Sequence, residues 1–221
     1  MSGRQRGFGL LEALLGLALG LMLLAAASQL FASVLQAWRV QDASARLADD
    51  ARLVLQRLAQ DIRMTGLVGC LRLDSIEYEA ASARQALAQP LRIDRASDGT
   101  LSSLTLVLAE LPGLAGPPDW TLLTDCRSWA RVVAGQRAAP PGALAFPLRR
   151  HVYQLRDGTL RLASGGGIQP LIDHVQALRV EAQAVGDQLR LDLRLILFEA
   201  ATGVEQQHHL SVAMRNRWPD A

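Results

Sequence analysis

The chain has 221 residues, enough for one soluble domain of ordinary size once an N-terminal apolar stretch is set aside. Its formal net charge is +2, which gives no overall electrostatic case for nucleic acid or for an acidic substrate. All 23 basic residues are Arg, a uniform choice that reads as genomic composition bias rather than as planar recognition of carboxylate or phosphate.

The chain is organised around Arg4-Gln5-Arg6-Gly7-Phe8-Gly9-Leu10-Leu11-Glu12 and the apolar run after it. Glu12 is the one charge between Phe8 and Ala27, and none lies between Ala13 and Trp38. About 20 apolar residues at ~1.5 Å rise cover the ~30 Å of a bilayer's hydrocarbon core. Arg4 and Arg6 precede the run, so the positive-inside rule keeps the start of the chain in the cytoplasm and places the remainder outside it. Glu12 is the anomaly. A carboxylate in a membrane span costs roughly 2.5–3.5 kcal/mol on insertion scales, so it reads as functional and in want of a partner. If the chain is cut between Gly7 and Phe8, the free α-amino group of Phe8 lies one helical turn from Glu12 and is the nearest candidate.

At these residues the sequence resembles the type IV prepilin family: a short basic leader ending in glycine, here Gly7, then Phe8, then Glu12 at the fifth mature position. Gly9 stands where Thr or Ser is usual, and Leu11 where Ile is common. The resemblance implies cleavage by prepilin peptidase between Gly7 and Phe8 and N-methylation of Phe8. A secretory signal fits less well, because its small-residue cleavage site follows the apolar region instead of preceding it.

Proline is absent from Phe8 to Met64. Gly16 and Gly20 form a GxxxG spacing, suited to a helix packing among like helices. Past Trp38 the pattern turns amphipathic, with Leu47, Ala51, Val54, Leu55, Leu58 and Ile62 on one face. Asp42 and Arg46, and Arg57 and Asp61, are spaced for i,i+4 pairs. The expectation is one helix over residues 8–65, its first part (8–30) transmembrane, stopping at Gly66. The segment Asp61-Ile62-Arg63-Met64-Thr65-Gly66-Leu67-Val68-Gly69-Cys70 is similar to the close of the long helix in PilW-type minor pilins.

Cys70 and Cys126 are the only cysteines and fall in the part outside the cytoplasm. In an oxidising compartment such a pair reads as a disulfide, with two buried thiols as the alternative. Neither has His or Cys near it at ligand spacing, so no metal is expected. Leu71–Leu87 reads as a short strand or a helical turn, and Leu104–Leu108 as a strand. Pro112, Gly113, Gly116, Pro117 and Pro118 make a loop, and Pro140-Pro141-Gly142 another break. Trp120–Cys126 and Trp129–Val133 are short strand candidates. Val152–Leu155 and Thr159–Leu162 flank Arg156-Asp157-Gly158, a hairpin signal. Gly165-Gly166-Gly167 lacks the Gly-Lys-Ser/Thr of a phosphate loop and reads as a flexible connection. Leu171–Ala184 reads as one long strand. Leu189, Leu191, Leu193, Leu195 and Leu197 alternate with polar residues, and a last strand carries Leu210, Val212 and Met214 on one face. The closing Arg215-Asn216-Arg217 again resembles PilW-type proteins.

The fold class is therefore α+β: a type IV pilin-like fold, with the long N-terminal helix packed on a C-terminal antiparallel β-sheet domain. Residues 1–7 are leader, 8–65 helix, and 66–221 a periplasmic β-rich domain. No catalytic residue, cofactor or metal is expected. His208 and His209 are adjacent in a strand and point to opposite faces, His151 and His174 are single residues in expected strands, and no pair of carboxylates is placed in one cleft by sequence alone. The resemblance implies an inner-membrane, single-pass minor pilin that helps initiate pilus assembly in a tip or priming complex and then joins the pilus. Its partners are other minor pilins, the major pilin and prepilin peptidase, with no nucleic acid and no small-molecule substrate, and Glu12 sets assembly register. A J-type minor pseudopilin of type II secretion shares these features, although Gly69-Cys70 and the Arg-Asn-Arg close favour the pilus. A pilus-associated adhesin or DNA-uptake subunit would need a basic patch, for which only Arg149-Arg150 offers itself.

Overall fold

The computed structural model describes residues 9–66, 70, 76–110, 116–186 and 188–215. Gly7, Phe8, Gly69 and the chain past Arg215 lie outside the described residues, as do Pro112 and Gly113. The chain divides into two compact units, Met1–Ala45 and Arg46–Ala221.

The long helix is present as α1, Leu10–Met64. Gly9 opens it, its carbonyl accepting from the N–H groups of Glu12 and Ala13 at 3.0 and 3.2 Å. From Gly9 to Gln41 every residue is exposed, Leu10 and Leu11 at 80%. Leucine faces bare on all sides of a helix demand an apolar medium, and α1 is a described helix long and apolar enough to cross a membrane.

Within Arg46–Ala221, the amphipathic end of α1 closes as its chemistry dictates. The Thr65 hydroxyl donates back to the Asp61 carbonyl at 2.7 Å. Gly66 then turns with φ of 74° and donates its N–H to Val107 at 2.9 Å. After α1 come β1 (Ile76–Tyr78), α2 (Ala81–Ala88), β2 (Leu91–Arg95), β3 (Leu101–Ala109), β4 (Trp120–Thr124) and β5 (Ala130–Ala134). Then follow β6 (Leu144–Arg156), β7 (Thr159–Ser164), β8 (Gly167–Ile172), β9 (Val175–Val185), β10 (Gln188–Glu199) and β11 (Val204–Ala213).

The strands form two sheets: an eight-stranded sheet with the path β1-β5-β4-β6-β3-β2, extended by β7 and β8, and a three-stranded sheet β11-β10-β9. The sheets are antiparallel, as expected, apart from one parallel pair in the larger sheet, β1 with β5. The layout of a long apolar helix followed by a sheet domain stands. One face of the large sheet, through Leu104, Leu106, Tyr153 and Leu162, packs with the apolar stripe of α1 and the inner face of the small sheet, including Leu178, Leu193 and Leu195. The opposite face, through Val107, Trp120, Leu122 and Leu148, packs under α2, whose Ala83 and Leu87 are buried.

The β6–β7 hairpin turns on Asp157 and Gly158, with φ of 51° and 73°, the left-handed pair that Asp-Gly permits. Gly165-Gly166-Gly167 is a tight turn rather than a flexible link: Gly165 and Gly166 have φ of 58° and 82°, and Ser164 pairs with Gly167. The expected single strand over Leu171–Ala184 is two. β8 belongs to the large sheet and β9 to the small one, and the chain changes sheets at His174, in the left-handed region with φ of 62°. His174 is therefore a corner residue and not a strand residue; its carbonyl accepts from Phe198 N–H at 2.8 Å. Trp120–Cys126 is shorter than expected, because Cys126, with φ of 58°, has already left the sheet.

Candidate functional site

Two places concentrate chemistry. At the N-terminus, Glu12 sits in the first turn of α1 with its side chain exposed. Among the described residues it has no side-chain hydrogen bond or ion pair.

The second place is buried. Strand β6 is flanked along one edge by β4, paired to Leu144–Leu148, and further on by β7, paired to Val152–Arg156. Between them Arg149, Arg150 and His151 pair only with β3. By strand alternation Arg149, His151 and Tyr153 share one face, and all three are buried. Asp61, from the last turn of α1, meets them: its Oδ2 accepts from the Tyr153 hydroxyl at 2.5 Å and lies 2.7 Å from His151 Nδ1. His151 Nε2 is 2.9 Å from Glu110 Oε1. The other Glu110 oxygen lies 2.8 Å from Arg149 Nε. That contact is an ion pair between two largely buried groups. Arg149 Nη2 donates to the Gly116 carbonyl. The Gly165 turn lies close against the same guanidinium: a Cβ added at Gly165 would come within 3.1 Å of Nη1.

Each ring nitrogen of His151 thus faces a carboxylate oxygen, Nδ1 that of Asp61 and Nε2 that of Glu110, in a row from Asp61 through His151 and Glu110 to Arg149. Burial, then the charge of Asp61 and its hydrogen bond, push the Tyr153 phenol well above its usual range. A group with a raised folded pKa contributes stability that is complete below its unfolded value, about 10, and is lost as pH rises beyond it. Tyr153 is therefore expected to stay un-ionised in the folded protein and to titrate only as the domain unfolds in alkali. Ultraviolet titration of a Tyr78→Phe protein checks this, since Tyr78 is the only other tyrosine.

A cleft of about 310 Å³ opens beside the row, lined by Arg57, Glu110, Arg149, His151 and the β7–β8 turn. The row's polar groups are directed at one another. The arrangement ties the end of α1 to the centre of the large sheet. Sequence reading took His151 as a lone structural residue and Arg149-Arg150 as the one basic pair. The structure splits that pair: Arg149 is buried, whereas Arg150 lies over the Trp120 ring at 5.2 Å. The signal that was there is the alternation Arg149-x-His151-x-Tyr153, three polar side chains on one face of a strand, which calls for acidic partners if that face is buried.

Cys70 and Cys126 are joined by a disulfide, with Cα atoms 5.4 Å apart. The loop that presents Cys126 is built by Asp125, whose carboxylate accepts from the N–H groups of Arg127, Ser128 and Trp129 at 2.9, 2.9 and 3.1 Å and from the Ser128 hydroxyl at 2.6 Å. These bonds hold the Asp125 carboxyl well below its usual range. The two cysteines are 56 residues apart, and closing such a loop is worth about 4 kcal/mol in the chain-entropy account. Cys126→Ser is expected to lower the melting temperature of the domain by calorimetry, to about the value of the reduced wild-type protein. A loss below about 1 kcal/mol would contradict this.

Residues 2–28 match the family model of the prokaryotic N-terminal methylation motif. No curated protein and no solved structure matches the chain. The matched segment holds Gly7, Phe8 and Glu12 and includes the first part of α1, which begins at Leu10. The N-terminal segment is thus a type IV pilin-like signal on a membrane-anchoring helix, of the kind carried by structural subunits that are processed by prepilin peptidase and assemble with other pilins.

Proposed function

We propose that the chain is a minor pilin of a type IV pilus, a structural subunit that joins other minor pilins in a tip or priming complex and helps to start fibre growth. In this reading residues 1–7 are removed, Phe8 is N-methylated, and the domain after α1 faces the periplasm before it enters the pilus. The observation that carries the reading is the Gly7-Phe8-Glu12 signal leading into a helix whose apolar surface is bare. The Gly69-Cys70 step and the Arg215-Asn216-Arg217 segment support the PilW-type branch over a J-type pseudopilin.

Glu12 has a mechanical role in this proposal. Apolar helix faces adhere without direction, because lipid is as apolar as the helices. A carboxylate meeting the Phe8 amine of a neighbouring subunit supplies register, as polar residues do in coiled coils. Crosslinking in cells, followed by identification of what the globular domain captures, tests the assignment. Minor and major pilins are the expected capture. Secretion pseudopilins in their place would move the protein to the type II system, and capture of neither would remove the assembly role.

A further inference from the structure

The edges of the two sheets are treated unequally. β1 is three residues long. β8 has Pro170 within its six residues. β2 is five residues long and ends in Arg95, whose guanidinium reaches the Val180 carbonyl on the outer side of β9 at 2.8 and 3.2 Å. Shortness, proline and a charged residue laid across an edge all blunt its capacity to pair. β11 has none of these devices. It is ten residues long, its register with β10 runs unbroken from Val204 to Ala213, and its one Asp, Glu, Lys or Arg is Glu205.

The direction of its free groups follows from one bond. Met214 N–H donates to Leu189 at 2.9 Å, and in an antiparallel pair the bonded residues alternate. The even-numbered residues of β11 therefore face β10. The N–H and C=O groups of Glu205, Gln207, His209, Ser211 and Ala213 face outward, and among the described residues no strand pairs with that side.

The side chains of those same residues lie on the exposed face of the small sheet. There Arg179, Arg194 and His209 stand directly opposite one another across all three strands. Like charges in one cross-strand row are destabilising. Among the described residues Arg194 and His209 have no hydrogen bond or ion pair. Asp192, in the next row, is already held by Arg190 at 3.0 Å and Ser211 at 2.5 Å. Asp98 acts on Arg179, and Glu181 lies beside it on the same face, so the part of the row left without a partner among the described residues is its end at the open edge, Arg194 and His209.

We propose that β11 is a strand-addition site, and that it takes an extended segment of a partner protein carrying a carboxylate side chain in register with His209. The backbone ladder supplies affinity and the carboxylate chooses the partner and sets its register. Half-buried Val204 and Leu210, on the inner face, would be covered by apolar residues of the added strand. This goes beyond the reading as a pilin-like subunit and does not depend on it.

The test uses the full chain in detergent micelles and a short dye-labelled peptide that alternates valine with threonine, with aspartate at its central outward position; a second peptide has lysine there. Fluorescence anisotropy is expected to show the aspartate peptide binding at least tenfold tighter than the lysine peptide. Gln207→Pro removes one outward N–H without touching the β10 ladder, and is expected to weaken the aspartate peptide tenfold or more. His209→Glu, which keeps the ladder and places a carboxylate opposite Arg194, is expected to reverse the order of the two peptides. Undiminished binding to Gln207→Pro, or an unchanged order with His209→Glu, would overturn the proposal. So would self-association of the peptide-free chain that Gln207→Pro abolishes, because the occupant would then be a second copy.

Discussion

Asp61→Ala is expected to destabilise the β domain by about 3–5 kcal/mol, because it strands two buried hydrogen-bond partners at about 1–3 kcal/mol each. For a domain of this size that corresponds to a fall of roughly 10 °C in melting temperature. The reason is what remains behind. Asp61 Oδ2 takes bonds from both His151 and Tyr153, so its loss strands an imidazole and a phenol that are 3% and 0% exposed. It also detaches the last turn of α1 from the middle of β6. A double-mutant cycle separates this from simple loss of packing. With His151 already replaced by leucine, an apolar group of similar volume, removal of Asp61 is expected to cost clearly less than in the wild-type background. Equal costs in the two backgrounds, or a wild-type loss below about 1 kcal/mol, would show that the row contributes little.

Glu12→Ala is expected to have its effect elsewhere. Processing at Gly7 and the melting of the β domain should be unchanged, because Glu12 is exposed at the start of α1 and belongs to the separate N-terminal unit. Incorporation with partner subunits is expected to fall by roughly tenfold or more, the scale on which loss of one member of a desolvated charge pair acts. Glu12→Asp, one methylene shorter, should fall between. Quantitative co-purification of the processed variants with their partners measures this. Wild-type recovery of processed Glu12→Ala protein would remove the register argument and leave Glu12 a role only in recognition by the processing enzymes.

Much of the fold was legible because the signals were local. The apolar run to Trp38, the three- and four-residue spacing from Leu47 to Ile62 and the absence of proline describe α1. Asp157-Gly158 marks a hairpin by backbone freedom alone. What stayed hidden depends on partners distant in sequence. β2, Leu-Arg-Ile-Asp-Arg, is short and charged, and is a strand because β3 pairs with it. The division between β8 and β9 turns on a histidine in the left-handed region, and nothing in Ile-Asp-His-Val announces that the strand there changes sheets. The buried row is the extreme case. His151 is 90 residues from Asp61 and 41 from Glu110, and topology alone brings them together. The N-terminal signal needed no fold at all, since it is a match of linear sequence over residues 2–28.

That signal underlies the account, and its processing can be read directly. Intact-mass and N-terminal peptide analysis of protein extracted from the membranes of cells with active prepilin peptidase should find a mature chain that begins at Phe8 and carries one N-methyl group. A mature chain beginning at Met1 or Ser2 in those cells would contradict it.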